Sequence, residues 1–150
     1  MGVSDFSLLL VEDDPDDVLL MKRAFAKGKI ANPLRVARDG EEAIEYLTGK
    51  GEFADRSRWP LPSLILLDLN LPRKSGHEVL GWVKRHPSLR TIPVIVLTSS
   101  RQSDDIQRAY ASGANSYIVK PVGLDNLLEV VQALRTYWVK LNQRPEEFGR

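Results

Sequence analysis

The sequence predicts an α/β fold in which helices cover both faces of a parallel sheet of five strands. Five short runs rich in leucine and β-branched residues recur along the chain, and stretches with helical periodicity separate them. These runs are apolar throughout, which is typical of strands buried on both faces, because a half-exposed strand alternates apolar and polar residues. Alternation of strands and helices implies right-handed crossovers, which favours a parallel sheet.

The strands are predicted at the five apolar runs, in the order in which the chain passes through them. They are Ser7 to Val11, Leu34 to Ala37, Leu64 to Leu67, Val94 to Leu97 and Tyr117 to Val119. Between the second helix and the third strand, the connection from Thr48 to Pro62 is polar and unusually long, so we interpret it as a surface loop. Phe53 and Trp59 are expected to pin this loop to the body of the domain.

The helices carry recognisable start signals. Asp14 is predicted as the N-cap of the first helix, Pro15 occupies the first helical position, and Asp16 and Asp17 follow where the helix macrodipole favours acids. A capping box from Ser75 to Glu78 opens the third helix. The last helix has the longest apolar stripe, formed by Leu124, Leu127, Leu128, Val131, Leu134, Trp138 and Leu141.

Composition narrows the class of protein. A chain of 150 residues fits one domain, with a core at about residues 6–141 and a tail at 142–150. The 21 basic and 20 acidic residues nearly cancel, so no overall field attracts nucleic acid or an anionic membrane. The absence of cysteine excludes disulfides and thiolate metal sites. No apolar run approaches the ~20 residues of a bilayer span, and no signal peptide is recognisable, so we expect a cytoplasmic protein.

Chemically active side chains follow the predicted strands. Glu12 and Asp13 follow the first strand, Asp68 follows the third, Thr98 the fourth and Lys120 the fifth. Ligands of open parallel sheets bind outside the carboxyl ends of the strands. In the common strand order 2-1-3-4-5, which is assumed here and does not follow from the sequence, the first and third strands are neighbours. The three carboxylates are then expected to converge at one edge of the sheet.

Clustered carboxylates repel one another and require a compensating charge. Mg²⁺ prefers oxygen ligands and keeps several waters, which leaves room for a phosphoryl oxygen. Lys120 would add an ammonium and Thr98 a hydroxyl donor. A carboxylate at Asp68 in such surroundings can act as a nucleophile towards phosphorus, so the predicted product is an aspartyl phosphate.

The stretches "LLVEDDP", "LILLDLNLP", "VIVLTSS" and "SYIVKP" occur in an order and at spacings that resemble the receiver domains of two-component response regulators. The resemblance covers about residues 6–141 and implies a three-layer, doubly wound (βα)5 fold of the flavodoxin-like type, with strand order 2-1-3-4-5. It also implies a phosphoacceptor switch and not a turnover enzyme. The long second connection and the Tyr137-Trp138 pair are similar to single-domain regulators that partner phytochrome-type histidine kinases.

The resemblance implies a role for each matching residue around the phosphoacceptor. Asp68 would accept the phosphoryl group, and Glu12 and Asp13 would form the acidic pair. Asp13 and Asp68 would bind Mg²⁺ directly, with the backbone carbonyl of Asn70 completing the protein ligands.

Other matching residues are implied to transmit the change. Thr98 and Lys120 would contact the phosphoryl group, and Tyr117 would turn inward after phosphorylation. The bond before Pro121 resembles a cis peptide of the family. The face made by the fourth helix, fifth strand and fifth helix would then change.

The last helix also predicts self-association. Val130, Tyr137 and Val139 add apolar surface beyond one buried face, and large apolar patches usually mark association. With the resemblance, this favours a homodimer through the fourth-helix, fifth-strand, fifth-helix face. Too few residues follow Leu141 for a DNA-binding or enzymatic module, so output is expected through protein binding, onward phosphotransfer or feedback on the kinase. His77 and His86 are interpreted as surface residues.

Three alternative functions stay open. A phosphatase of the haloacid dehalogenase type also uses an aspartate nucleophile, but it needs a second acid where this chain has Asn70. A flavin or nucleotide module would need glycines and amides after the first strand, and neither GxGxxG nor GxxxxGK[ST] occurs. A receiver used only for docking would not need Asp68, Thr98 and Lys120 together.

Overall fold

The computed structural model describes residues 6–143, in which five strands form one parallel sheet in the order β2-β1-β3-β4-β5. The strand order that the resemblance to receiver domains implies is therefore confirmed. The strand limits differ from the predicted ones by one residue at three places. The strands are β1 Leu8–Val11, β2 Leu34–Ala37, β3 Leu64–Leu67, β4 Val94–Thr98 and β5 Ser116–Val119.

Between residues 6 and 143, five α-helices cover the sheet and complete a three-layer, doubly wound (βα)5 fold of the flavodoxin-like type. They are α1 Pro15–Lys27, α2 Gly40–Thr48, α3 Gly76–Arg85, α4 Ser103–Ala111 and α5 Leu124–Leu134. Helices α1 and α5 pack on one face of the sheet, and α2, α3 and α4 pack on the other. Within residues 6–143, the helices are too short or too polar for any of them to be a candidate membrane span.

Alternate residues of each strand supply the two halves of the core. In β1, Leu8 and Leu10 pack with α1 and α5, whereas Leu9 and Val11 pack with the helices of the other face. All four side chains are buried, as the apolar run predicts for a strand covered on both sides.

The chain continues from α5 in a π-helical segment, Arg135–Leu141. Its wider turn is closed by a hydrogen bond from the amide of Asn142 to the carbonyl of Tyr137, five residues earlier. Trp138 still packs against the core, but Leu141 is 64% exposed. The prediction that Leu141 lies on the buried stripe is wrong, because the wider pitch rotates the last residues away from the face that α-helical spacing predicts.

The long connection between α2 and β3 is held by an aromatic cluster. It contains a 3-10 turn, Gly51–Ala54, in which Phe53 is buried. The ring of Phe53 lies 5.1 Å from that of Tyr46 and 5.4 Å from that of Trp59, and the Tyr46 hydroxyl donates to the carbonyl of Pro60 at 2.8 Å. The predicted pinning of this loop by Phe53 and Trp59 is therefore confirmed.

Candidate functional site

The predicted acids converge at the carboxyl edge of the sheet. Strands β1 and β3 pair with Val11 opposite Leu67, so the residues that follow these two positions leave the sheet side by side. Oxygen atoms of Glu12, Asp13 and Asp68 lie within 4.8 Å of one another. Glu12 and Asp68 are buried, whereas Asp13 is exposed.

This donor set fits a hard divalent cation. Mg²⁺ binds oxygen ligands at about 2.0–2.1 Å, so two ligands of one ion are at most roughly 4 Å apart, and three carboxylate oxygens that lie within 4.8 Å of one another can reach such an ion with small side-chain movements. The group offers oxygen only, and it includes one exposed member through which waters can complete the coordination. Asn70 donates its amide to Oδ1 of Asp68 at 3.3 Å, which places the backbone of Asn70 beside the same carboxylate.

Lys120 supplies the positive charge at this edge. Its ammonium lies 2.6 Å from Glu12, 3.0 Å from Asp68 and 2.7 Å from Asp17. The amide of Lys120 donates to the carbonyl of Thr98, so the end of β4 fixes the backbone from which this side chain extends. The predicted approach of Lys120 to the acids is observed, but Asp17 was predicted only as a first-turn residue of α1.

Burial controls the protonation of the buried glutamate. Desolvation raises the pKa of Glu12 to about 7; the hydrogen bond from Lys120 opposes this rise, and the charge of Asp68 adds to it. For Lys120, burial alone would lower the pKa, but hydrogen bonds to Asp17, Glu12 and Asp68 outweigh burial and raise the pKa of the ammonium. The lysine therefore stays charged, while the Glu12 carboxyl titrates near neutral pH.

Thr98 ends β4, which pairs with β3, and Tyr117 lies on the next strand, β5. Thr98 is fully buried, and its hydroxyl has no hydrogen-bond partner within residues 6–143. Such a group is costly unless something else binds it, so this orphan hydroxyl marks a place for another oxygen. Tyr117 is half-buried, and its hydroxyl donates to the carbonyl of Ser100 at 2.9 Å.

The predicted cis bond before Pro121 is wrong for this structure. No peptide bond in the described part of the chain is cis. The trans form of a bond to proline is favoured by about 0.5–1 kcal/mol, and here it already delivers the Lys120 side chain to its carboxylate partners.

His77 is buried, so its assignment to the surface is also wrong. Its Nε2 lies 3.1 Å from Oδ1 of Asp105, and the other oxygen of Asp105 accepts a hydrogen bond from the Ser100 hydroxyl. The pKa of Asp105 is lowered, first by the Ser100 hydrogen bond and then by His77. This contact joins the start of α3 to the first turn of α4, a pairing of residues 28 apart that no local pattern predicts.

Comparison with known proteins extends these observations over nearly the whole chain. Residues 8–132 match the family model of the response regulator receiver domain. The chain is similar to the probable methanogenesis regulatory protein FilR2 of Methanothrix harundinacea, with 42% identity over 140 residues, 93% of this chain and 88% of that protein.

Two solved structures are also similar. The phosphorylated cyanobacterial phytochrome response regulator RcpA superposes with a TM-score of 0.85 at 40% identity, over 94% of this chain and 99% of that one. The Mn²⁺-bound form of response regulator Rcp1 superposes with a TM-score of 0.81 at 38% identity, over 93% of this chain and 99% of that one. The likeness is therefore one of entire domains and not of a shared motif.

Proposed function

The chain belongs to the response regulator receiver domain family, and from that membership we propose that Asp68 accepts a phosphoryl group from a sensor histidine kinase. The observation that carries the proposal is the convergence of Asp68 with Glu12, Asp13 and the ammonium of Lys120 at one end of the sheet. We take residues 1–150 as one receiver domain with a core at about 6–141; residues 144–150 of the tail lie outside the described residues.

Mg²⁺ is the proposed cofactor. Asp13 and Asp68 bind it directly, the carbonyl of Asn70 completes the protein ligands, and Glu12 supports the pair. The related regulator Rcp1 forms a Mn²⁺-bound structure, which supports a divalent cation, and the oxygen-only donor set favours Mg²⁺. When bound, the ion neutralises phosphoryl oxygens and orients them for in-line transfer.

Side chains of the protein make the other contributions to phosphoryl transfer. An oxygen of Asp68 forms a bond to phosphorus as the bond between phosphorus and the kinase histidine nitrogen breaks. The ammonium of Lys120 balances negative charge on the phosphoryl oxygens, and the buried hydroxyl of Thr98 donates to one of them. This contact is favourable because it gives a hydrogen-bond partner to the buried Thr98 hydroxyl, which has none within residues 6–143.

The switch then acts through the loops after β4 and β5. Movement of Thr98 and Lys120 shifts the backbone that carries Ser100, whose carbonyl holds the Tyr117 hydroxyl. Release of this hydrogen bond lets Tyr117 turn inward, and the α4-β5-α5 face changes. Phosphorylation is thus a local charge change that biases a two-state surface.

The proposed partner is a phytochrome-type sensor kinase, because RcpA and several other similar structures are phytochrome response regulators. A homodimer through the α4-β5-α5 face is proposed with it, supported by the exposure of Tyr110 on α4 and of Val122 and Tyr137, which lie just before and just after α5. Neither nucleic acid nor a membrane is a proposed partner, and the proposed location is the cytoplasm. Light scattering at tens of micromolar should give a dimer mass; a monomer in both phosphorylation states would refute the dimer.

The phosphoacceptor is tested by labelling with acetyl phosphate and Mg²⁺, followed by intact mass. The parent protein should gain one phosphoryl group, and Asp68→Asn should gain none. Asp104→Asn, which removes an exposed acid from the first turn of α4, is the matched control and should label like the parent. Equal labelling of Asp68→Asn and the parent would reject the assignment.

The kinase is tested by radiolabelled phosphotransfer. A phytochrome kinase should transfer to this protein faster than a sensor kinase of another class does. Equal or slower transfer from the phytochrome kinase would refute the proposed partner but not the receiver function. The receiver function is tested separately, by labelling with acetyl phosphate.

Two other functions are weaker candidates. An aspartate-nucleophile phosphatase would turn over generic phosphate esters, whereas a switch protein performs only its own phosphotransfer and dephosphorylation. A phosphorylation-independent docking receiver would bind its partner equally well with Asp68→Asn. Turnover of a phosphate ester would support the first, and unchanged partner binding would support the second.

A further inference from the structure

Lys120 has three hydrogen-bond acceptors, and they do not all belong to the carboxylate cluster. Its ammonium carries three protons, and Glu12, Asp17 and Asp68 lie 2.6, 2.7 and 3.0 Å from it. Glu12 and Asp68 belong with Asp13 to the group that could hold a metal ion, and Asp17 does not. Asp17 is therefore the one of the three acceptors that lies outside the carboxylate cluster.

Among the described residues that line the cavity next to Lys120, the acids are Glu12 and Asp17. This cavity has a volume of about 30 Å³, and Lys120 itself completes its charged lining. Its other walls are proline and apolar side chains, including Met21 and Leu127 from α1 and α5. Apolar walls do not stabilise an ammonium. Without the charge of Asp17, the ammonium would depend on Glu12 and Asp68.

Asp17 is well placed to hold a cation from outside the cluster. It is the third residue of α1, where the positive end of the helix macrodipole favours a negative side chain. Its side chain is 37% exposed, compared with 3% for Glu12 and 6% for Asp68. It is therefore the most exposed of the three acids that contact the Lys120 ammonium.

We propose that Asp17 is a positioning residue for Lys120, holding the ammonium to one side of the carboxylates that bind the metal ion. The inference rests on the proposed function of this site. With Asp17 present, the ammonium is shared among three acids. Without its charge, the ammonium binds Glu12 and Asp68 more closely and competes with a divalent cation for them.

The test compares Asp17→Asn with Asp17→Glu and with Asp16→Asn. Asp16 is the neighbouring residue and is exposed, so Asp16→Asn removes the same charge without removing the contact to Lys120. Mg²⁺ alone is titrated into each protein by calorimetry. Asp17→Asn should weaken Mg²⁺ binding about three- to tenfold, the range for one partly exposed charged contact. Asp17→Glu should restore most of the affinity, and Asp16→Asn should stay close to the parent. Equal weakening by Asp17→Asn and Asp16→Asn would overturn the proposal.

A second background separates positioning from plain charge. In Lys120→Gln, Asp17→Asn should have no further effect on Mg²⁺ affinity, because no ammonium remains to be positioned. An unchanged effect of Asp17→Asn in that background would overturn the proposal.

A spectroscopic signature is independent of both metal and phosphodonor. The ¹⁵N resonance of the Lys120 ammonium, assigned by its loss in Lys120→Gln, should shift or broaden in Asp17→Asn and return towards its parent position in Asp17→Glu. An unshifted resonance in Asp17→Asn would also overturn the proposal. If these results hold while the parent fails to label with acetyl phosphate, the proposed function fails and the Asp17–Lys120 relationship stands.

Discussion

Gly76 packs against the backbone of Asp68 so closely that a Cβ at Gly76 would lie 2.2 Å from the Asp68 carbonyl oxygen. The same Cβ would lie 2.5 Å from the Cα of Leu69, and the Gly76 amide donates to the Leu69 carbonyl at 2.9 Å. The start of α3 is therefore fitted directly onto the segment that carries the proposed phosphoacceptor.

We expect Gly76→Ala to destabilise the protein and to displace Asp68. Both obstructing groups are backbone atoms that cannot rotate away, so the cost should be about 1–3 kcal/mol, the usual range for overpacking. Urea denaturation and acetyl phosphate labelling measure the two effects. Gly81→Ala is the control, because its Cβ would meet only the flexible end of Arg85. A fully stable, normally labelled Gly76→Ala would contradict the expectation.

The pKa of Glu12, raised by burial to about 7, predicts a pH-dependent stability in the absence of metal. An unfolded glutamate titrates near pH 4.3, so the contribution of Glu12 is complete below about that pH and is lost as the pH rises through about 7. From about pH 5 to pH 8, the free energy of unfolding of Glu12→Gln should rise relative to that of the parent by on the order of 1–3 kcal/mol. Glu129→Gln, at an exposed position, is the control, and its free energy of unfolding should follow the same pH dependence as that of the parent. The same pH dependence for Glu12→Gln and the parent would refute the raised pKa of Glu12.

The unpaired Thr98 hydroxyl predicts that an apolar replacement is tolerated in the unphosphorylated protein. Valine has nearly the same shape, and an unsatisfied buried hydroxyl costs about 1–3 kcal/mol, so Thr98→Val should keep or raise the free energy of unfolding. Thr98→Ala should lower it, because it leaves a cavity. Under the proposed function, Thr98→Val should nevertheless label more slowly. A Thr98→Val protein less stable than Thr98→Ala would show that the hydroxyl has a structural partner.

Truncation of the aromatic cluster in the long loop should lower the stability of the protein without changing phosphoryl labelling at the carboxylates. Phe53 is 6% exposed and packs on Tyr46 and Trp59, so Phe53→Ala should cost roughly 3–5 kcal/mol in urea denaturation. The loop precedes β3 at the amino edge of the sheet, opposite the carboxylates, so labelling of the folded fraction should be unchanged. Glu52→Ala, at the exposed neighbouring position, should have little effect on either measurement. A normal stability for Phe53→Ala would mean that the loop is not pinned by this ring.

Local sequence determined the elements and most of the site. Apolar runs located the five strands, and the caps at Asp14 and Ser75 located two helix starts, because periodicity and capping depend on residues a few positions apart. Placement of Glu12, Asp68 and Lys120 at strand ends was enough to predict that they meet, once a strand order was assumed.

Only the tertiary structure decided which side chains pair across long separations. Asp17 and Lys120 are 103 residues apart, and their contact depends on how α1 and the end of β5 are placed around the sheet. The burial of His77, the unpaired hydroxyl of Thr98 and the fit of Gly76 onto Asp68 likewise depend on how closely separate elements pack. A one-dimensional pattern records the period of each element, whereas these contacts arise from the packing of elements against one another.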